Sequence, residues 1–156
     1  HPSICYWTIF NEGWGQFDSS AAYARLRALD DSRFIDSTSG WFRGGETDID
    51  SRHIYYGPWT LRAGDKPLVL SEFGGCCLAV EGHRFNPEVL PAVANGLWGA
   101  IYTQLSVVED EINGLLTYDR RILKPDPGAM RALAGQLHQA FAASCNGKET
   151  AHAGTQ

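Results

Sequence analysis

Lys66–Gly75 reads KPLVLSEFGG, and this stretch decides the fold. Leu68, Val69 and Leu70 make an unbroken apolar run, the chain turns polar at Ser71-Glu72, and Gly74-Gly75 follow. A continuous apolar run, unlike an alternating one, marks a strand covered on both faces. The same grammar appears at Trp7–Gly15, WTIFNEGWG, where an apolar strand over Ser3–Phe10 ends in Asn11-Glu12 before Gly13. Two strands therefore end in a glutamate with glycine close behind: Glu12 and Glu72.

Outward from these anchors, strands and helices interleave. Phe17–Leu29 predicts a helix, carrying Ala21, Ala22, Ala24, Leu26 and Leu29. Arg33–Asp36 predicts a short strand, Ile49–Tyr56 another, and Leu97–Gln104 a last one. Asn86–Asn95 predicts a short helix. Asp126–Ala143 predicts an amphipathic helix, with Met130, Leu133, Leu137 and Phe141 at helical spacing. The polar tail from Ser144 is expected to be disordered, so the folded unit is expected over residues 1–143 and the tail over 144–156. Such alternation predicts an α/β protein with a parallel sheet. In a parallel α/β barrel the C-terminal strand ends line one face, and both glutamates would then enter one cleft.

Composition narrows the functions. The chain has 156 residues, 44% hydrophobic and 20% charged, which suits one globular domain. A net charge of −5 without a basic cluster argues against nucleic acid as the main partner. No run approaches the roughly 18 apolar residues of a membrane span, so no membrane partner is expected. No signal peptide is visible, and because the chain opens on His1 a natural start is expected upstream. Cys5, Cys76, Cys77 and Cys145 match no zinc spacing and read as free thiols of a reducing, cytoplasmic compartment. GGETDID and EFGGCC lack nucleotide-loop patterns, and the histidines do not cluster in sequence. Neither a cofactor nor a metal site is therefore expected. Aromatics make up 12% of the chain, which serves core packing and sugar stacking equally.

Two carboxyl groups suit one chemistry in particular. Cleaving a glycosidic bond needs a proton for the leaving oxygen and a stabiliser for the anomeric carbon. Carboxyls about 5–5.5 Å apart retain configuration, and about 6.5–9.5 Å apart they invert it.

HPSICYWTIFNEGWGQFD, KPLVLSEFGG and YTQLSVVEDEINGLLTYDRRILKP together resemble the catalytic barrel of glycoside hydrolase family 2, which includes β-galactosidases, β-glucuronidases and β-mannosidases. The resemblance covers His1 to about Phe141. It implies the C-terminal portion of a (β/α)8 TIM barrel, about strands 4 to 8, and a retaining β-glycosidase. Glu12 would be the acid/base and Glu72 the nucleophile. Asn11 would hold the sugar 2-hydroxyl, Tyr55 would donate to the nucleophile, and His53 would stand on the cleft wall. Tyr102 would take the place under the sugar where relatives have tryptophan. Trp14 and Trp41 would stack on substrate from loops, and Trp98 is read as core. The implied partners are a β-glycoside substrate, with the missing N-terminal barrel half and β-sandwich domains or another copy of the chain. A catalytically inactive fragment or sugar-binding remnant is the rival reading. For this family the segment between Gly75 and Gly96 is short, with Asn86–Pro87 the expected point of missing residues.

Overall fold

The structure, a computed structural model, describes residues 1–56, 58–74 and 89–153. Cys76, Cys77, His83 and the Asn86–Pro87 point lie outside the described residues. The elements run β1 (Tyr6–Asn11), α1 (Ser19–Leu29), β2 (Phe34–Ser39), β3 (Asp50–Ile54), β4 (Leu68–Phe73), α2 (Val89–Ala94), β5 (Leu97–Tyr102) and α3 (Pro127–Ala153). α3 therefore continues past Ser144.

The strands pair in parallel, but they make two open sheets: β1-β2, and β3-β4-β5. This overturns the expected segment of a (β/α)8 barrel. The reason is visible at the free edge of β2, where the loop before β3 folds back and takes up hydrogen-bonding groups that a ladder would need. Asp48 N donates to Ile35 O at 2.8 Å. Thr47 Oγ1 donates to the same carbonyl at 3.1 Å. The Asp48 carboxylate accepts from Ile35 N at 2.6 Å, and Thr47 Oγ1 from Ser37 N at 3.3 Å. With that edge engaged, β3 pairs with β4 instead. Regular βα alternation is also broken, since no helix stands between β2 and β3 or between β3 and β4 among the described residues.

Without the barrel, the assignment to glycoside hydrolase family 2 fails, and with it the barrel half, the β-sandwich domains, the second copy and the sugar as expected partners.

Burial follows the same division. β4 is buried at every position except Glu72, as its apolar run predicts, and β2 is buried beyond Phe34. β1 and β5 are only partly covered. The apolar core gathers Leu68, Leu70 and Phe73 of β4 with Leu61, Leu97 and the α2 residues Val89, Ala92 and Val93. Leu137, Ala140 and Phe141 pack on it from α3. Trp98 is not core: it is 55% exposed and meets Phe34 edge-on, ring centres 5.9 Å apart. α1 is held to the chain beside β2 by polar ties, with Tyr23 donating to Asp48 at 2.7 Å and Arg27 paired to the same carboxylate.

Candidate functional site

Strand register assembles the site. Asn11 at the end of β1 pairs with Ser39 at the end of β2. Glu12 follows, its N–H donating to Ser39 O at 2.9 Å. Its φ of 54° is left-handed, a conformation rare for a residue with a side chain and common at functional positions. On the second sheet His53 pairs with Glu72 across β3 and β4. The two glutamates thus reach one place from different sheets.

His53 joins them. Its ring is fully buried; Nδ1 lies 2.8 Å from Glu12 Oε1, and Nε2 lies 3.6 Å from Glu72 Oε1. Nε2 also meets Ser39 Oγ at 2.9 Å. Beneath it the Ser39 hydroxyl contacts those of Ser51 at 3.1 Å and Ser71 at 3.4 Å, all within the buried interior. Gly40 leaves room for this ring: with φ of 89°, a Cβ there would stand 2.7 Å from His53 Nδ1. Tyr55 donates its hydroxyl to Glu72 Oε2. Burial first, and then the Glu72 carboxylate, push the Tyr55 phenol far above its usual pKa, so it remains a donor. Trp41 donates to His53 O at 3.3 Å and meets the Tyr55 ring edge-on.

Above these groups opens a cleft of about 490 Å3, lined in part by Asn11, Glu12, Trp41, Tyr55 and Glu72. Of the residues singled out in the sequence, His53, Trp14 and Tyr102 are not in its lining, His53 being buried behind the two glutamates rather than on the cleft wall. Trp14 is 79% exposed. Tyr102 lies under Gly74, packs edge-on against Phe73 at 5.5 Å, and borders an apolar cavity beneath α3. Sequence reasoning missed the opposite wall, where Thr103, Asp110, Glu111, Ile112 and Asn113 line the cleft. Gln104 braces that wall, donating to Glu111 at 2.6 Å and to Asn113 at 3.0 Å. The acidic run Glu109-Asp110-Glu111 was its one sequence signal.

The arrangement corrects the chemistry expected of the pair. Retaining cleavage was to use two carboxylates facing each other across a bond at a barrel mouth. Here Glu12 and Glu72 converge on one imidazole, with an acceptor or donor atom of each of the three within 4.8 Å of the others. Together with the open sheets, this removes the retaining β-glycosidase reading, its glycoside hydrolase class and its inactive or sugar-binding variant.

Glu12, His53 and Glu72 are also the one group among the described residues that could hold a metal ion. The fit is poor as the side chains stand, because both ring nitrogens already have partners, Glu12 and Ser39. A metal would have to displace one of them, whereas a proton fits the same positions without rearrangement.

Comparison with protein-family models and with curated proteins finds no match for this chain. Among the described residues, no helix is long and apolar enough to cross a membrane.

Proposed function

We propose that the cleft is an acid–base site for a small ligand that carries or develops positive charge, with Glu12 and Glu72 as its proton-exchanging pair. One observation carries this reading: among the described residues, the lining includes the carboxylates of Glu12, Glu72, Asp110 and Glu111 and the rings of Trp41, Tyr55 and Tyr56, but no lysine or arginine. Clustered like charges in a cleft attract a counter-charge. A unit charge about 4 Å from a carboxylate gains roughly 4 kcal/mol at an effective dielectric of 20. An aromatic face adds about 0.5–2 kcal/mol for a cation. The volume lies within the roughly 300–1,000 Å3 of small-molecule sites.

Each residue has a part. His53 links the two glutamates, so a proton taken by one is felt by the other. Tyr55 fixes the orientation of Glu72. Asn11 offers an amide at the rim, and Trp41 and Tyr56 wall the ligand. We place the protein in the cytoplasm, a reading supported by the free, exposed thiols of Cys5 and Cys145.

The test is calorimetric titration with piperidinium and with tetrahydropyran, its uncharged counterpart of equal ring size. Piperidinium is expected to bind at least about tenfold more tightly, an advantage of about 1.4 kcal/mol. That advantage should shrink with added salt and vanish in Glu72→Gln. Equal binding of the two probes refutes the proposal. Stoichiometric, tight Zn2+ binding that releases His53 from Glu12 would replace it with a metal site.

A further inference from the structure

Among the described residues, three that line the cleft are aromatic, and their rings stand as facets rather than as a stack. The planes of Trp41 and Tyr55 meet at 82° with centres 6.4 Å apart, and those of Tyr55 and Tyr56 at 57° with centres 6.4 Å apart. All three border the same space as Glu12 and Glu72. Two of the rings are fixed by their polar edges: Trp41 Nε1 donates to His53 O at 3.3 Å, and the Tyr55 hydroxyl donates to Glu72. With those edges engaged, both rings offer the cleft π-surface rather than hydrogen-bonding atoms. Trp41 is 56% exposed and Tyr56 75%, so this surface is open to a ligand.

The carboxylates are engaged in a similar way. His53 Nδ1 meets Glu12 Oε1 at 2.8 Å, Tyr55 holds Glu72, and Gln104 Nε2 donates to Glu111 at 2.6 Å. They bring negative charge to the cleft, but part of their capacity to accept hydrogen bonds is already used. A primary or secondary ammonium gives up hydrated N–H groups on entering such a place and needs acceptors to replace the water. An ammonium whose hydrogens are all replaced by carbon has no donor to satisfy. Its charge spreads over C–H surface, which suits aromatic faces and the field of a nearby carboxylate, and aromatic cages recognise quaternary ammonium groups on this basis.

We propose that the cleft takes the head of a quaternary, N-methylated ammonium compound, held among Trp41, Tyr55 and Tyr56 with Glu12 and Glu72 supplying the opposing charge. The head carries no proton. It therefore anchors the ligand, and the proton exchanged by the two glutamates belongs to another of the ligand's atoms. Trp41 and Tyr56 set the specificity, since their rings meet the methyl groups while the carboxylates answer to any cation. Trp14, 79% exposed and outside the lining, has no part in it.

The inference rests on the cleft taking a cation, but its test compares two cations, so the two fail separately. N,N-dimethylpiperidinium and piperidinium share a ring and a charge and differ in carrying methyl groups or N–H. In calorimetric titration of the full chain, the dimethyl ion is expected to bind at least about fivefold more tightly. The uncharged pair, 4,4-dimethyltetrahydropyran and tetrahydropyran, measures what two methyl groups add without a charge, and its ratio should be smaller by about threefold or more. Trp41→Leu and Tyr56→Leu should each cut the ratio of the charged pair by about threefold or more, whereas Trp14→Leu should leave it unchanged. If Trp41→Leu does not fold, Tyr56→Leu, at the more exposed position, decides. Piperidinium binding as tightly as its dimethyl form overturns the proposal, as do equal ratios in the charged and uncharged pairs or a ratio that survives the ring variants. Equal binding of piperidinium and tetrahydropyran instead removes the cation site itself, and this head with it.

Discussion

Replacing Gly40 with alanine presses directly on the His53 ring. Two costs follow from its surroundings. With φ of 89°, Gly40 occupies the left-handed region, where a side chain costs about 1–2 kcal/mol. The new Cβ would also lie 2.7 Å from Nδ1, 2.8 Å from Cγ and 3.0 Å from Cε1 of His53, so the ring must move. That ring is fully buried between Glu12 and Ser39, and any shift gives up its 2.8 Å contact with Glu12. Losing a hydrogen bond to a charged group costs about 1.5–3 kcal/mol. The sum, about 2.5–5 kcal/mol, is a large part of the roughly 5–15 kcal/mol that holds a domain together. Gly15 is the control, since its φ is 62° and nothing stands within 4 Å of its would-be Cβ. Gly15→Ala should therefore cost only the backbone term. Urea unfolding of both variants separates the contributions: Gly40→Ala should exceed Gly15→Ala by about 2 kcal/mol, with the His53 ring signals displaced in the former alone. Variants equal within about 0.5 kcal/mol, or unmoved ring signals, would refute the proposed packing of Gly40 on His53.

Two further outcomes are expected. Tyr55→Phe keeps the aromatic wall but removes the donor to Glu72, so piperidinium should bind about tenfold more weakly by calorimetry; undiminished binding would mean that Glu72 is not oriented by Tyr55. For acid stability, burial works to raise the Asp48 pKa, but Tyr23, the Ile35 amide and Arg27 together hold it below its usual value. Asp50 is likewise held low against burial by Arg52 and Arg43. A depressed folded pKa stabilises above the unfolded value, about 3.9, and that contribution is lost as pH falls through the folded value. Asp36 has the opposite sign, its raised pKa removing stability as pH climbs from the unfolded value through the folded one. Unfolding midpoints measured from pH 2 to 7 should therefore fall on the acid side, and Asp48→Asn should flatten that fall; an unchanged acid limb would show that Asp48 is not its source.

The strands themselves were legible, because an apolar run ending in a polar residue and glycine is a local pattern. Leu68–Leu70 and Trp7–Phe10 fall within β4 and β1, and Glu12 and Glu72 stand where those strands finish. Their meeting at His53 was half legible: the sequence put His53 on a cleft wall but could not show it between the glutamates. Sheet partnership was not legible at all. Which edge β2 offers depends on Thr47 and Asp48, two polar residues in a stretch that reads only as the polar approach to a strand. Periodicity reports which faces are covered; it does not report which backbone groups a loop has already taken. The Asp110–Asn113 wall was missed for a related reason, since a loop without periodicity is placed by contacts such as Gln104 to Glu111 rather than by its own pattern.

The division between β2 and β3 has a mechanical consequence. Ser39, and Glu12 just past the end of β1, go with one sheet, and His53, Ser51, Ser71 and Glu72 with the other. The contacts Glu12–His53, Ser39–His53 and Ser39–Ser51 are thus rivets between two plates. A ligand that keeps these rivets while adding its own charge clamps the plates and raises the unfolding midpoint with its concentration. One that draws Glu12 away from His53 pries them apart, and its binding energy is spent partly on opening the molecule. The sign of a ligand's effect on melting therefore reports whether the Glu12–His53 rivet survives its arrival.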